Sequence, residues 1–253
     1  MELLERTSAP RPPGRVRERL VTATAVATVV AAIGVTNVLT SGRGSGTGPL
    51  PGPEPPPVAM RLVGYGHAMI AVPKVWGTNV SRCGVPRRDT VLVDDPSAAG
   101  DCDLPRPAGV SSVELDTAPP VGFRVDETFT VDGVPAERSW TACSDDDVCW
   151  GAVGLPSLRV WFRASSSKSA ADVDQILTRI EILPDRVGVP STRSLDEARD
   201  GTTYAGLLRR LGLNAEFRSR TSVVYKPGRV VSVSPSPGTV LQLGDTVTLT
   251  VIR

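Results

Sequence analysis

Apolar and polar positions divide this chain into regimes with different periodicities. From Leu20 to Leu39 there is no period, only an unbroken apolar run, with no charge between Arg19 and Arg43. About 20 such residues at ~1.5 Å rise match a bilayer core about 30 Å thick, so residues 20–40 are expected to form a transmembrane helix. A cleaved signal peptide is the alternative. Its apolar core is usually about 7–15 residues long, and no small-x-small site or lipid-accepting cysteine follows the run, which favours a retained anchor. Residues 1–19 carry Arg6, Arg11, Arg15, Arg17 and Arg19 against three glutamates. That basic stub predicts a cytoplasmic N-terminus and a C-terminal region on the far side of the membrane.

The pattern then breaks. Residues 41–57, SGRGSGTGPLPGPEPPP, have no apolar face and read as a linker, flexible at first and stiffer where proline dominates. From 58 to 186 short apolar stretches recur. Met69–Val72, Thr90–Val93, Thr128–Val131, Arg138–Ala142, Val148–Val153 and Leu158–Phe162 are strand candidates. Val113 and Leu115 alternate with Glu114 and Asp116, which suits a half-buried strand. Gly64-Tyr65-Gly66-His67 reads as a turn into a strand, and Ser165–Ser169 as a polar loop. The stretch WTACSDDDVCW predicts a hairpin tied at its base by cysteines. One helical period stands out: Val173, Ile176, Leu177 and Ile180 at i, i+3, i+4 and i+7, with Ser169 and Asp172 in a capping-box pattern and Pro184 closing the segment. Strands with a packed helix predict an α+β domain over 58–186. Residues 187–253 read as a second unit able to fold by itself, with Val247, Leu249 and Val251 on one strand face and Thr246, Thr248 and Thr250 on the other.

Charge and chemistry narrow the function. A net charge of +1 with dispersed arginines gives no footprint for nucleic acid. The four cysteines, Cys83, Cys102, Cys143 and Cys149, all follow the apolar run, as expected of an exported disulfide-bearing region. The shortest loops favour Cys83–Cys102 with Cys143–Cys149. A zinc site lacks C-x-x-C spacing and has only His67 to draw on. No G-x-S-x-G, H-E-x-x-H or phosphate-cradling loop is present, so no catalytic, cofactor or metal residue is assigned and the chain is expected not to be an enzyme. A carboxylate pair that hydrolyses glycosides is the remaining enzymatic alternative. Asp145–Asp147 read as a solvated turn, since calcium loops space their ligands. Trp140, Trp150 and Trp161 read as core residues, being among few aromatics; stacking on sugars from an exposed sheet face is the alternative.

The C-terminal run KPGRVVSVSPSPGTVLQLGDTVTLTVIR resembles the second half of a PASTA domain. Gly228, Val230, Pro235, Gly238, Thr239, Gly244, Val247, Leu249 and Val251 stand in the family register. Val189-Pro190 matches its opening Val-Pro, and Leu211-Gly212-Leu213 its helix-ending Gly-Leu. The resemblance implies a helix-plus-three-strand domain facing the bacterial cell wall, with peptidoglycan fragments or wall-synthesis proteins as partners. The glycine expected near Arg193 is missing, and Gly201 interrupts residues 194–211, which predicts a helix that is kinked or begins late. Val233 stands where the family commonly has a polar residue. A docking module without glycan binding is the alternative reading, and the ligand-binding residues stay unassigned.

Overall fold

A computed structural model describes residues 58–94, 104–192 and 200–253. The expected span Leu20–Leu39 and the linker lie outside the described residues. Among the described residues, no helix is long and apolar enough to cross a membrane.

The first part of the chain builds two larger sheets that share one core, and a separate two-stranded ribbon. Strand β1 (Met60–Tyr65) turns at Gly66-His67 into β2 (Ala68–Pro73), with Tyr65 opposite Ala68. Three short strands follow: β3 (Gly77–Thr78), β4 (Ser81–Arg82) and β5 (Val85–Pro86). Then come β6 (Thr90–Leu92), β7 (Ser111–Asp116), β8 (Glu127–Val131), β9 (Val134–Cys143), β10 (Cys149–Leu155) and β11 (Val160–Ser166). Helix α1 (Ala170–Leu177) leads into β12 (Ile180–Ile182). The larger sheet has seven strands in the order β3-β6-β7-β11-β10-β9-β8, and β12 completes a second sheet, β1-β2-β12.

Alternation explains the packing. On β11, Val160, Phe162 and Ala164 are buried in the apolar core, whereas Arg163 points to the opposite face. That core joins them to Val63, Ile70 and Val72 of the smaller sheet and to Val173, Ile176 and Leu177 of α1. Each aliphatic side chain so buried contributes about 1.5–3 kcal/mol. Gly151 lets the helix lie close, because a methyl there would stand 2.8 Å from Thr141 Oγ1 and 3.3 Å from Val173. Ser169 caps α1 by accepting from Asp172 N at 3.1 Å. The expected capping box is only half used, because Asp172 takes the Ser111 hydroxyl at 2.5 Å. The helix is also shorter than its apolar stripe. It ends at Leu177, and Ile180 is buried from β12 instead. Ser165 and Ser166, expected in a loop, belong to β11, and Ser166 is fully buried.

The β9–β10 hairpin is closed by the expected Cys143–Cys149 disulfide, with the two residues directly paired across the strands. Cys83 is also disulfide-bonded; Cys102 lies outside the described residues, so the expected Cys83–Cys102 link is not described.

The second part holds β13 (Arg186–Gly188), α2 (Gly201–Arg210), β14 (Asn214–Arg220), β15 (Val230–Ser234), β16 (Val240–Gln242) and β17 (Thr246–Ile252). Strand β17 lies between β14, which is parallel to it, and β15, which is antiparallel. Of the expected face, Val247 and Leu249 are buried and Val251 is partly so; Ile252 is buried as well, against the alternation. Helix α2 packs Tyr204, Ala205 and Leu208 into a separate core with Val187, Val189, Leu213, Val230, Val247 and Leu249. Gly201 does not kink this helix. It is the first helical residue, so the described helix begins late. Gly212, at φ +86°, ends it as expected.

The two cores belong to one compact unit, Pro55–Arg253, and a backbone seam stitches them together. Gly66 N donates to Gly188 O at 3.0 Å, and Gly188 N donates back at 2.7 Å. Gly64 N donates to Gly238 O at 3.1 Å. Beside them, Asp94 accepts from the Ser191 hydroxyl, from Thr192 N at 2.5 Å and from Thr192 Oγ1 at 2.8 Å. A side chain at Gly238 would press on Val93 and Val63, at 2.9 and 3.1 Å.

Candidate functional site

The seam engages one end of the C-terminal unit. In its 235–239 turn, Gly238 is buried against Val63 and Val93 of the first core, whereas Ser236 is exposed. The free end sits at the other end of β15, five strand residues away, or about 16 Å at ~3.3 Å per residue.

That free end is built locally. Asp200 caps α2, accepting from Thr203 N at 2.7 Å and Thr203 Oγ1 at 2.9 Å. These donors, the backbone one foremost, hold the Asp200 carboxyl below its ordinary range. Gly201 N donates to Gly228 O at 3.0 Å, which ties the helix start to the loop before β15. Gly228, at φ +87°, lets that loop turn back on Asp200. The result is a cleft of about 530 Å³ between Asp200 and residues 224–229. Arg229 stacks over the Tyr225 ring at 4.7 Å. Val223, Val224 and Tyr225 are exposed, as is Phe217 on β14. The described C-terminal segment sets Arg209, Arg210, Arg218, Arg220, Lys226, Arg229 and Arg253 against Asp200, Glu216 and Asp245. An aromatic ring beside guanidinium and ammonium groups can stack on a sugar or amide plane and hold a carboxylate.

The other residues singled out from sequence take ordinary places. His67 Nδ1 lies 2.8 Å from Arg186 O at the seam and has no catalytic partner among the described residues. Asp145–Asp147 form the exposed turn of the β9–β10 hairpin. Among the described residues, no group of three or more His, Cys, Asp or Glu converges to hold a metal. The tryptophans divide. Trp161 is buried as expected and Trp150 is partly buried, but Trp140 is 61% exposed and does not belong to the core. Trp140 lies in β9 where the pairing with β10 shifts register, between the Ser139–Ala152 and Ala142–Trp150 pairs.

Tyr225 and Arg229 were not singled out from sequence. The usable signal was their position, flanking the Lys226-Pro227-Gly228 turn that precedes the family-matching strand. Val233, the position of altered polarity, is only partly buried and packs against the second core. There it has a structural role on β15.

Comparison with known proteins bears on this end of the chain. Residues 193–252 match the family model of the PASTA domain, so the C-terminal unit is a PASTA domain. No curated protein matches the chain.

Proposed function

We propose that this is a membrane-anchored bacterial protein, N-terminus inside, whose single PASTA domain faces the cell wall and binds peptidoglycan or a wall-synthesis partner without catalysis. The observation that carries the reading is the PASTA match over residues 193–252. The free end of the domain supports it, because Tyr225, Lys226 and Arg229 offer stacking and cationic groups suited to amino sugars and peptide carboxylates. The anchor rests on the Leu20–Leu39 run and its arginine-rich flank. The absence of catalysis rests on the lack of hydrolase motifs in the sequence.

A single small domain makes a weak contact, so useful retention comes from many anchored copies facing one polymer. Sedimentation of residues 58–253 with purified peptidoglycan tests the reading. Co-pelleting that increases when the fragment is fused to a tetrameric carrier is expected. No pelleting even of the tetramer would replace wall binding with protein docking, for which exposed Val223, Val224 and Phe217 are the natural contacts.

A further inference from the structure

The seven-stranded sheet has a second face, opposite the core, and a cleft of about 260 Å³ lies on it. Its polar lining comes from three neighbouring strands and one crossing segment: Ser112 and Glu114 of β7, Arg163 and Ser165 of β11, Trp150 of β10, and Arg106. The apolar wall includes Leu92 and Leu104.

Arg106 forms a fixed cationic floor. Its Nη1 donates to Ser165 Oγ at 2.7 Å, and its Nη2 to Ser112 Oγ, Val110 O and Ser165 O at 3.0–3.1 Å. Its Nε is buried and has no hydrogen-bond partner among the described residues. Burial pulls its pKa down to about 10; Asp89 pushes it up, and the positive charge of Arg163 pushes it down again. Arg163 is held more loosely. Its guanidinium lies 5.9 Å from the Trp150 ring centre and 4.0 Å from Glu114, and it donates no hydrogen bond among the described residues. Two guanidinium groups repel each other here, one with a buried unfilled donor and one with its fork open beside an indole.

We propose that this cleft binds a small monoanionic molecule in which a carboxylate is attached to a ring, the carboxylate taken by Arg163 over the Arg106 floor and the ring laid against Trp150. The guanidinium fork matches a carboxylate in two parallel hydrogen bonds. Glu114 beside Arg163 disfavours a second negative charge, which selects a carboxylate over a phosphate dianion. The indole face and the leucines accept the apolar side of a sugar or aromatic ring. The site belongs to the first core, apart from the free end of the PASTA domain, so either proposal can fail without the other.

The test uses the full chain in a mild non-ionic detergent and a matched pair of probes. N-acetylmuramic acid and N-acetylglucosamine share a ring, and only the first carries a carboxylate. Saturation-transfer NMR and calorimetric titration should show millimolar or tighter binding of N-acetylmuramic acid, at least tenfold tighter than N-acetylglucosamine. Arg163→Gln should remove that preference, and Trp150→Leu should weaken N-acetylmuramic acid at least fivefold. Near-UV circular dichroism identifies correctly folded variants; Arg163 is 43% exposed, so its removal leaves the core intact. All titrations are made in a Tyr225→Ser/Arg229→Gln background, which removes the amino-sugar contacts of the PASTA free end and leaves only the cleft to be read. Equal binding of the two sugars, no binding of N-acetylmuramic acid, full competition by inorganic phosphate at equal concentration, or unchanged preference in folded Arg163→Gln would each overturn the proposal.

Discussion

Replacing Gly188 with alanine should uncouple the two cores. A methyl at this position would overlap the Gly64 carbonyl group and stand 2.5 Å from Tyr65 N. These are backbone atoms, which cannot rotate aside as a flexible side chain could. The strand must retreat, and the reciprocal hydrogen bonds between Gly66 and Gly188, at 3.0 and 2.7 Å, stretch or break. Two such bonds contribute about 1 kcal/mol each. Steric overfilling of a packed contact adds about 1–3 kcal/mol. A loss of about 3–5 kcal/mol is large against the 5–15 kcal/mol typical of a whole domain. The probes needed are built in. All four tryptophans lie in the first part of the chain, at positions 76, 140, 150 and 161, so their fluorescence reports that core alone. Far-UV circular dichroism reports both parts. In urea, wild-type residues 58–253 should give coincident transitions by the two probes. In Gly188→Ala the midpoints should fall and the probes should separate. Coincident curves with an unchanged midpoint would refute the claim that the seam couples the cores.

Other outcomes follow from single residues. Asp200→Ala should cost the PASTA domain about 1 kcal/mol through loss of its helix cap. Because Thr203 holds the folded Asp200 carboxyl below its ordinary 3.8, the stabilisation is present above that pH and is lost as pH falls through the folded value; Asp200→Asn should keep the cap and lose this acid sensitivity in thermal melts. Replacing Cys143 and Cys149 by serine should lower stability by about 2 kcal/mol, the entropy of a short closed loop, and a double variant with wild-type stability in urea would show that the hairpin holds without its bridge. In spheroplasts, added protease should remove a C-terminal tag and spare an N-terminal one; the opposite pattern would reverse the proposed orientation.

The sequence made some of this legible because the signals were local. The Cys143–Cys149 hairpin, the Ser169 cap and the glycine that ends α2 each depend on a few adjacent residues. Asp132-Gly133 between Val131 and Val134 was an equally local signal left unread. Both residues have positive φ, at 48° and 81°, and they turn β8 into β9. The late start of α2 was one of two readings of Gly201, and the cap supplied by Asp200 decides between them. What was not legible depends on distant partners. Ile180 follows a helical period but leaves the helix to pair with Ile70. Trp140 is exposed at a register shift between β9 and β10, which residue type does not reveal. The seam joins Gly64 and Gly66 to Gly188 and Gly238, more than 100 positions apart in sequence, through backbone groups that carry no side-chain signature. The second cleft likewise needed β7, β10 and β11 to be placed side by side before Arg106, Trp150 and Arg163 could meet.

The central claim is that the PASTA domain meets the wall with its free end while its other end is fixed to the first core. Its most direct test is the binding of tetramerised residues 58–253 to purified peptidoglycan, compared between wild type and the double variant Tyr225→Ser/Arg229→Gln. Both substitutions lie outside the seam, and Tyr225 is 45% exposed, so thermal stability should be retained. The account predicts at least a tenfold loss of retained protein in the folded variant. Undiminished binding would contradict it, placing the wall-facing surface elsewhere on the molecule.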